Sequence, residues 1–224
     1  MSHPDERAAH ITFDPATQNT LSKYVVDLFV KQTAAQIAIT TSTKEKGLPQ
    51  IDLRPEEGWM LYLLTRMIGA RRAVEFGTLA GYSASWIARG LAPGGTLITF
   101  ESSEEHAAVA RENLAAAGFA DVVEVRVGEA KQLVQALEGP FDLAFLDADK
   151  TGYETYLNWA LSNIRPGGLI VAHNAFQGGA IAETTNVTEK LAAMQRFNQR
   201  AAEHESLLST IIPVGDGLLV ALVQ

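Results

Sequence analysis

Short apolar runs alternate along this chain with longer segments of mixed character. Ala73–Phe76, Leu97–Glu101, Val122–Val127, Asp142–Asp147 and Leu169–Ala172 are brief, β-rich and apolar almost throughout, as parallel strands buried on both faces are. Between them, Ser83–Leu91, Ser103–Ala117, Ala130–Leu137 and Tyr153–Asn163 read as helices. Ser102-Ser103-Glu104-Glu105 fits a capping box and Gly118 a C-terminal stop. Pro93-Gly94-Gly95 and Pro166-Gly167-Gly168 each turn the chain into the next strand. This alternation predicts an open, doubly wound α/β sheet. The end differs: Leu208–Pro213 and Leu218–Val223 flank Val214-Gly215-Asp216-Gly217, a loop short enough for an antiparallel hairpin. Two helices are expected before the sheet, Thr17–Ile39 and Pro55–Ile68, with Thr40–Leu53 as a loop. Residues 1–70 bury little alone, so they are read as a helical extension of one domain spanning residues 1–224.

Composition narrows the field. The 224 residues are 47% hydrophobic, enough for one full core. No apolar run approaches the roughly 20 residues that span a bilayer. The start, Met1 to Arg7, lacks a basic-then-apolar leader. A soluble cytoplasmic protein is expected, without a membrane partner. The net charge of −8, with no Lys/Arg run, argues against nucleic acid. The chain has no cysteine, which excludes disulfides, thiolate metal sites and a cysteine nucleophile.

In a doubly wound sheet, ligands bind beyond the C-terminal strand ends, so the polar residues there are the candidates. The first strand leads through the segment Val74-Glu75-Phe76-Gly77-Thr78-Leu79-Ala80-Gly81-Tyr82-Ser83 into a helix, with two glycines four apart between them. A glycine turn between strand and helix admits a ligand to the backbone. The carboxylate at the strand end favours a cationic or hydroxyl-rich ligand. Neither the phosphate-loop pattern nor Gly-x-Gly-x-x-Gly is met, which counts against a nicotinamide oxidoreductase. Glu101, at the second strand end, suits ribose hydroxyls, or else serves the next helix start as a solvated carboxylate. Asp147, Asp149 and Lys150 end the fourth strand, His173 and Asn174 the fifth. Asp147 with Asn174 suits a hard cation such as Mg²⁺, whereas His173 favours Mn, Fe, Co or Zn. Lys150 alternatively makes only a local salt bridge. Trp59, Trp86 and Trp159 read as core; Phe176 and Tyr153 are placed near the mouth as candidate lining for an aromatic acceptor. His3, His10, His106 and His204 read as exposed or tail positions.

Together these residues resemble the S-adenosylmethionine-dependent O-methyltransferases of the catechol and caffeoyl-coenzyme A type. The likeness runs from about Leu53 to the C-terminus. It is carried by the segment Val74 to Ser83, by Phe141-Asp142-Leu143-Ala144-Phe145-Leu146-Asp147-Ala148-Asp149-Lys150, by Arg165-Pro166-Gly167-Gly168 and by Pro213-Val214-Gly215-Asp216-Gly217. The resemblance implies a seven-stranded, mostly parallel sheet whose last strand is antiparallel. It implies cofactor contacts at Leu53, Glu75, Gly77, Ser83, Glu101, Ala130, Asp147 and Asp149. By the same match Asp147, His173 and Asn174 take metal-ligand positions, Lys150 that of a general base, and the protein is a homodimer. The activity implied is methyl transfer to a hydroxyl of a small, catechol-like acceptor, with divalent-metal assistance.

One departure bears on mechanism. The family usually carries Asp-Asn where this chain has His173-Asn174. A neutral imidazole in place of a carboxylate removes one negative charge. Three outcomes follow: His173 ligates a softer metal, His173 is itself the base in a metal-free site, or the site is inactive and the chain is a cofactor-binding scaffold. Ala175-Phe176-Gln177-Gly178-Gly179 also departs from the family pattern, so no acceptor-specific residue is assigned. Methylation of a nucleic-acid base is disfavoured. Cytosine C5 enzymes need a cysteine, and the Asp/Asn-Pro-Pro-Tyr motif of adenine N6 enzymes is replaced by Asp147-Ala148-Asp149-Lys150.

Overall fold

The computed structural model describes residues 14–224. The expectation for His3 and His10 lies outside the described residues. The chain divides into two compact units, residues 1–31 and 32–224. In the first, α1 (Pro15–Phe29) starts from Asp14, whose carboxylate accepts the N–H groups of Ala16 and Thr17.

The second unit holds a seven-stranded sheet in the order β3-β2-β1-β4-β5-β7-β6. Its strands are β1 (Arg72–Phe76), β2 (Thr96–Glu101), β3 (Val123–Val127), β4 (Phe141–Leu146), β5 (Ile164–Ala172), β6 (Leu207–Ile212) and β7 (Leu218–Val223). The first five run parallel, while β7 pairs antiparallel with both β5 and β6, the hairpin expected from the sequence. The helices are α2 (Ala34–Glu45), α3 (Pro55–Met67), α4 (Tyr82–Gly90), α5 (Glu104–Ala116), α6 (Ala130–Leu133), α7 (Tyr153–Asn163) and α8 (Glu189–Glu203). No helix among the described residues is long and apolar enough to cross a membrane.

Period-two alternation sorts the strand residues. Val74, Phe76, Ala144, Leu146, Ile170, Ala172, Leu219 and Ala221 join Tyr156, Trp159, Met194 and Phe197 of α7 and α8 in one core. Phe76 centres it, its ring 4.3 Å from Tyr156 and 6.0 Å from Trp159. The alternate residues, Glu75 and Thr99 among them, face the other side. The registers Phe76↔Phe100, Phe76↔Leu146 and Leu146↔Ala172 align the carboxyl ends of the parallel strands along one edge. From β1 the chain winds outward to β3 and then returns to β4 on β1's other side, so the crevice between β1 and β4 is the switch point.

Four local expectations are corrected. Thr17–Ile39 is two helices, because Thr33 and Gln36 form a reciprocal capping box that begins α2. That helix then runs to Glu45, through residues read as loop. Ser103 does cap α5, but the third helical residue is His106, so only the half of the box in which Ser103 accepts the His106 N–H forms. Pro166-Gly167-Gly168 lies inside β5 as a register irregularity against β4 instead of preceding it. The pattern reading also left out α8, whose buried stripe is Leu191, Met194, Phe197 and Ala201 amid polar neighbours.

Candidate active site

The carboxyl edge of the sheet opens on one cavity of about 850 Å³. Leu53, Gly77, Ser83, Glu101, Ala130, Asp147, Asp149, Lys150, His173 and Asn174 all line it. Glu75 does not line it: it is fully buried on the face opposite Phe76 and accepts a 2.6 Å hydrogen bond from its ladder neighbour Thr99. Its Oε1 has no hydrogen-bond partner. Burial pushes the Glu75 carboxyl up to about 8, against the nearby Ser83 and Thr99 hydroxyls. Phe176 and Tyr153 are likewise absent from the lining. Tyr153 is wholly buried and donates to the Leu146 carbonyl at 2.7 Å. His106, read as exposed, is half-buried on the cavity wall with its ring 3.7 Å from Glu101. His204 is half-buried too and accepts the Ser206 N–H.

On the β1–β2–β3 side the backbone makes a cradle. Gly77 has φ +96°, and a Cβ there would stand 2.5 Å from the Asp147 carbonyl oxygen, so β1 and β4 can approach at the switch point only with glycine here. Glu101 Oε2 accepts the Leu79 N–H at 2.8 Å and Oε1 the Ser103 N–H at 3.0 Å. Those bonds fix the carboxylate, and each oxygen keeps a lone pair for a ligand hydroxyl. Asp149 is exposed at the rim, where it accepts the Thr151 hydroxyl and faces Lys131 at 3.8 Å. A glycine cradle walled by Glu101, Glu129 and Asp149 fits a cationic, ribose-bearing ligand.

On the β4–β5 side the side chains are paired with one another. Lys150 is buried, and its Nζ donates to Tyr153 Oη at 2.6 Å, to Asp147 Oδ1 at 3.3 Å and to the His173 carbonyl at 3.5 Å. Burial lowers the Lys150 pKa, and the Asp147 charge opposes that. His173 is also buried, with Nδ1 3.2 Å from Asp147 Oδ2 and Nε2 3.0 Å from Glu57 Oε1. Burial alone would lower its pKa, but the hydrogen bonds and charges of Asp147 and Glu57 raise it to about 9. For Glu57, burial pushes upward, and the bonds from His173, Arg54 and Asp216 bring it below the usual value.

Sequence reasoning missed Glu57 and Asp216. Glu57 sits in the first turn of α3 and Asp216 in the β6–β7 loop, so neither is at the end of a parallel strand. Asp216 accepts from the Asn174 amide at 3.2 Å and from the Gly178 N–H at 2.8 Å. Of the residues expected to ligate a metal, Asp147 is already paired with Lys150 and His173, and both ring nitrogens of His173 face carboxylates, those of Glu57 and Asp147; Asn174 gives its amide N–H to Asp216. Among the described residues, no group of three His, Cys, Asp or Glu side chains is placed to hold an ion. This donor set does not fit a divalent cation.

The chain is similar to known proteins over nearly its whole length. It is 39% identical to a catechol O-methyltransferase of Niastella koreensis over 214 residues, covering 92% of this chain and 97% of the other. It is 41% identical to a catechol O-methyltransferase of Mycobacterium tuberculosis, covering 89% and 95%. Among solved structures, the Bacillus cereus O-methyltransferase in complex with SAH superposes with a TM-score of 0.86 at 34% identity, covering 92% and 97% of the two chains. The O-methyltransferase TomG from Streptomyces achromogenes, in complex with SAM, superposes with a TM-score of 0.87 at 34% identity, covering 95% and 100%. The strand order, the glycine cradle and the acidic wall agree with a family match that runs from residue 29 to residue 223, and the chain belongs to the O-methyltransferase family.

Proposed function

We propose that this protein transfers a methyl group from S-adenosylmethionine to a hydroxyl of a small aromatic, catechol-like acceptor. The observation that carries the reading is that Gly77 and Glu101 open on the same cavity as Lys150, Asp147 and His173. When bound, S-adenosylmethionine supplies a methyl group made electrophilic by its sulfonium. Glu101 would hold the ribose hydroxyls, and Leu53, Ser83, Ala130, Asp147 and Asp149 would line the remainder of the donor site. A phenol has a pKa near 10, as for tyrosine, so it must be deprotonated to attack. Lys150 is the base: burial weakens its hold on a proton, and it stands beside Asp147 at the strand end. His173 is not, because both its ring nitrogens face carboxylates and its proton is held up to about pH 9. The divalent ion expected from the resemblance has no step here.

The same reading includes a homodimer acting in the cytoplasm, with residues 1–70 as an extension of the methyltransferase domain. Tyr24, Leu28 and Phe29 are exposed along α1, an apolar face available to a second copy. Neither nucleic acid nor a membrane enters the reading.

The test is turnover on a panel of catechols, read by mass spectrometry, with wild type and Lys150→Met compared. The variant is expected to lose at least about 100-fold in kcat, in the range of general-base catalysis, with the donor Kd unchanged. Saturable donor binding without methylation of any catechol would refute the acceptor class.

A further inference from the structure

We infer that the protein fills the ion's place itself: the His173 ring, clamped between Glu57 and Asp147, is a built-in cation, and methyl transfer in this cavity is independent of metal. The inference rests on the methyltransferase reading for its reaction, and on side-chain geometry for the cation.

Two carboxylates flank one imidazole, at 3.0 and 3.2 Å, from chain positions 116 and 26 residues away. A carboxylate accepts, so each ring nitrogen must donate, and a ring that donates from both nitrogens carries a positive charge. Neither nitrogen keeps a lone pair for a metal. The Glu57 side of the clamp is built in. Its Oε2 accepts the Arg54 N–H at 2.8 Å and its Oε1 the Asp216 N–H at 3.1 Å. Gly215, at φ +56°, makes room for it, since a Cβ there would stand 1.9 Å from Glu57 Oε1.

Charge balance points the same way. At rest Glu57 and Asp147 contribute two negative charges, and the His173 ring and a protonated Lys150 two positive ones; Lys150 sheds that proton before it acts as the base. Glu57, Lys150 and His173 are buried and Asp147 half-buried, and the four together are neutral, as charges withdrawn from water must be unless something else compensates them. With aspartate at position 173 the same four positions would carry a net charge of −2, which a divalent cation cancels. Histidine removes that demand. The charge it supplies is fixed beside Lys150, where an acceptor oxygen becomes anionic, so it stabilises the developing phenolate electrostatically.

The test measures ion binding, independently of turnover. Mn²⁺ is titrated into metal-stripped protein and the free ion followed by electron paramagnetic resonance. Wild type is expected to bind no Mn²⁺ at this site, and His173→Asp to bind one ion per chain. A second arm compares the wild-type rate with and without chelator; a change under twofold is expected. Wild-type binding that disappears in Asp147→Asn would overturn the inference, as would a tenfold loss of rate in chelator that Mn²⁺ restores. Binding that survives Asp147→Asn lies elsewhere and leaves the inference standing. Should His173→Asp fail to fold, the wild-type and Asp147→Asn titrations decide alone. If no acceptor is methylated, the methyltransferase reading falls, and the titration still decides whether the cavity takes an ion.

Discussion

Glu57→Gln tests the clamp on His173 through the pH dependence of stability. The His173 pKa rises from 6.5 to about 9 on folding. At about 1.4 kcal/mol per unit, that links about 3 kcal/mol of stability to its proton. Because the folded pKa is raised, this stability is present in full below about pH 6.5 and is lost as pH climbs through about 9. Two carboxylates at similar distance share the effect, so Gln at position 57 should remove roughly half of it, about 1–2 kcal/mol. The buried Glu75 carboxyl, raised to about 8, also makes stability fall with pH, between about 4.5 and 8. That contribution is common to both proteins and cancels in the comparison. Urea unfolding at fixed ionic strength from pH 6 to 9.5 is the assay. At pH 6 the variant should be about 3 kcal/mol less stable, the low end for breaking a buried pair, since the amide oxygen still accepts one bond. By pH 9.5 the gap should have narrowed by about 1–2 kcal/mol. A gap that stays constant across the range would mean that Glu57 does not hold the His173 proton, and the charge count of the cavity would be wrong.

Three other changes probe separate parts of the molecule. Glu101→Gln should weaken S-adenosylmethionine binding about 10- to 100-fold by calorimetry, the range for losing a charged hydrogen-bond acceptor; an unchanged Kd would remove Glu101 from the donor site. Gly77→Ala should lower the urea midpoint and abolish donor binding, because its Cβ meets the Asp147 carbonyl at 2.5 Å in a left-handed conformation; a variant with wild-type affinity would refute the cradle. Asp142 accepts the Arg71 and Arg72 N–H groups at 2.7 and 2.8 Å and pairs with Arg165, so although burial pushes its pKa up, these bonds bring it below 3.8. Its stabilisation is present above about pH 4 and lost as pH falls further. Asp142→Ala should therefore be about 1.5–3 kcal/mol less stable at pH 7 and converge on wild type in acid, which unfolding curves from pH 7 to 2.5 would show or deny.

How much of this was legible beforehand depended on sequence distance. The sheet was readable because each parallel strand is a continuous apolar run and its last polar residue marks the ligand edge. Ten of the eleven residues singled out as donor, base or metal site lie on the cavity wall. The exception, Glu75, was legible too: it is adjacent to Phe76, and period two puts neighbours on opposite faces. The break between α1 and α2 was present as Thr33-x-x-Gln36. Glu57 was not legible, because its role comes from a ring 116 residues away. Read locally, Glu57 is an acidic residue in the first turn of a helix, which needs no other explanation.

The same distance explains why a metal was expected and why the structure argues against one. Asp147, His173 and Asn174 are close in sequence pattern and all carry ligating atoms, so a local reading joins them through an ion. The fold brings in two partners that the pattern omits, Glu57 from α3 and Asp216 from the β6–β7 loop. Once these are counted, the cavity has two electrostatic halves. Toward β2 and β3, Glu101, Glu129 and Asp149 give it an acidic wall suited to a sulfonium donor. Toward β4 and β5, Lys150 and His173 cancel the charges of Glu57 and Asp147 and leave only that of Asp216, which suits a neutral phenol that becomes anionic only as it reacts. Raising ionic strength should therefore weaken donor binding at the acidic wall more than it changes acceptor KM at the nearly balanced one. Equal salt sensitivity of the two, measured by calorimetry and by initial rates, would contradict this division of charge.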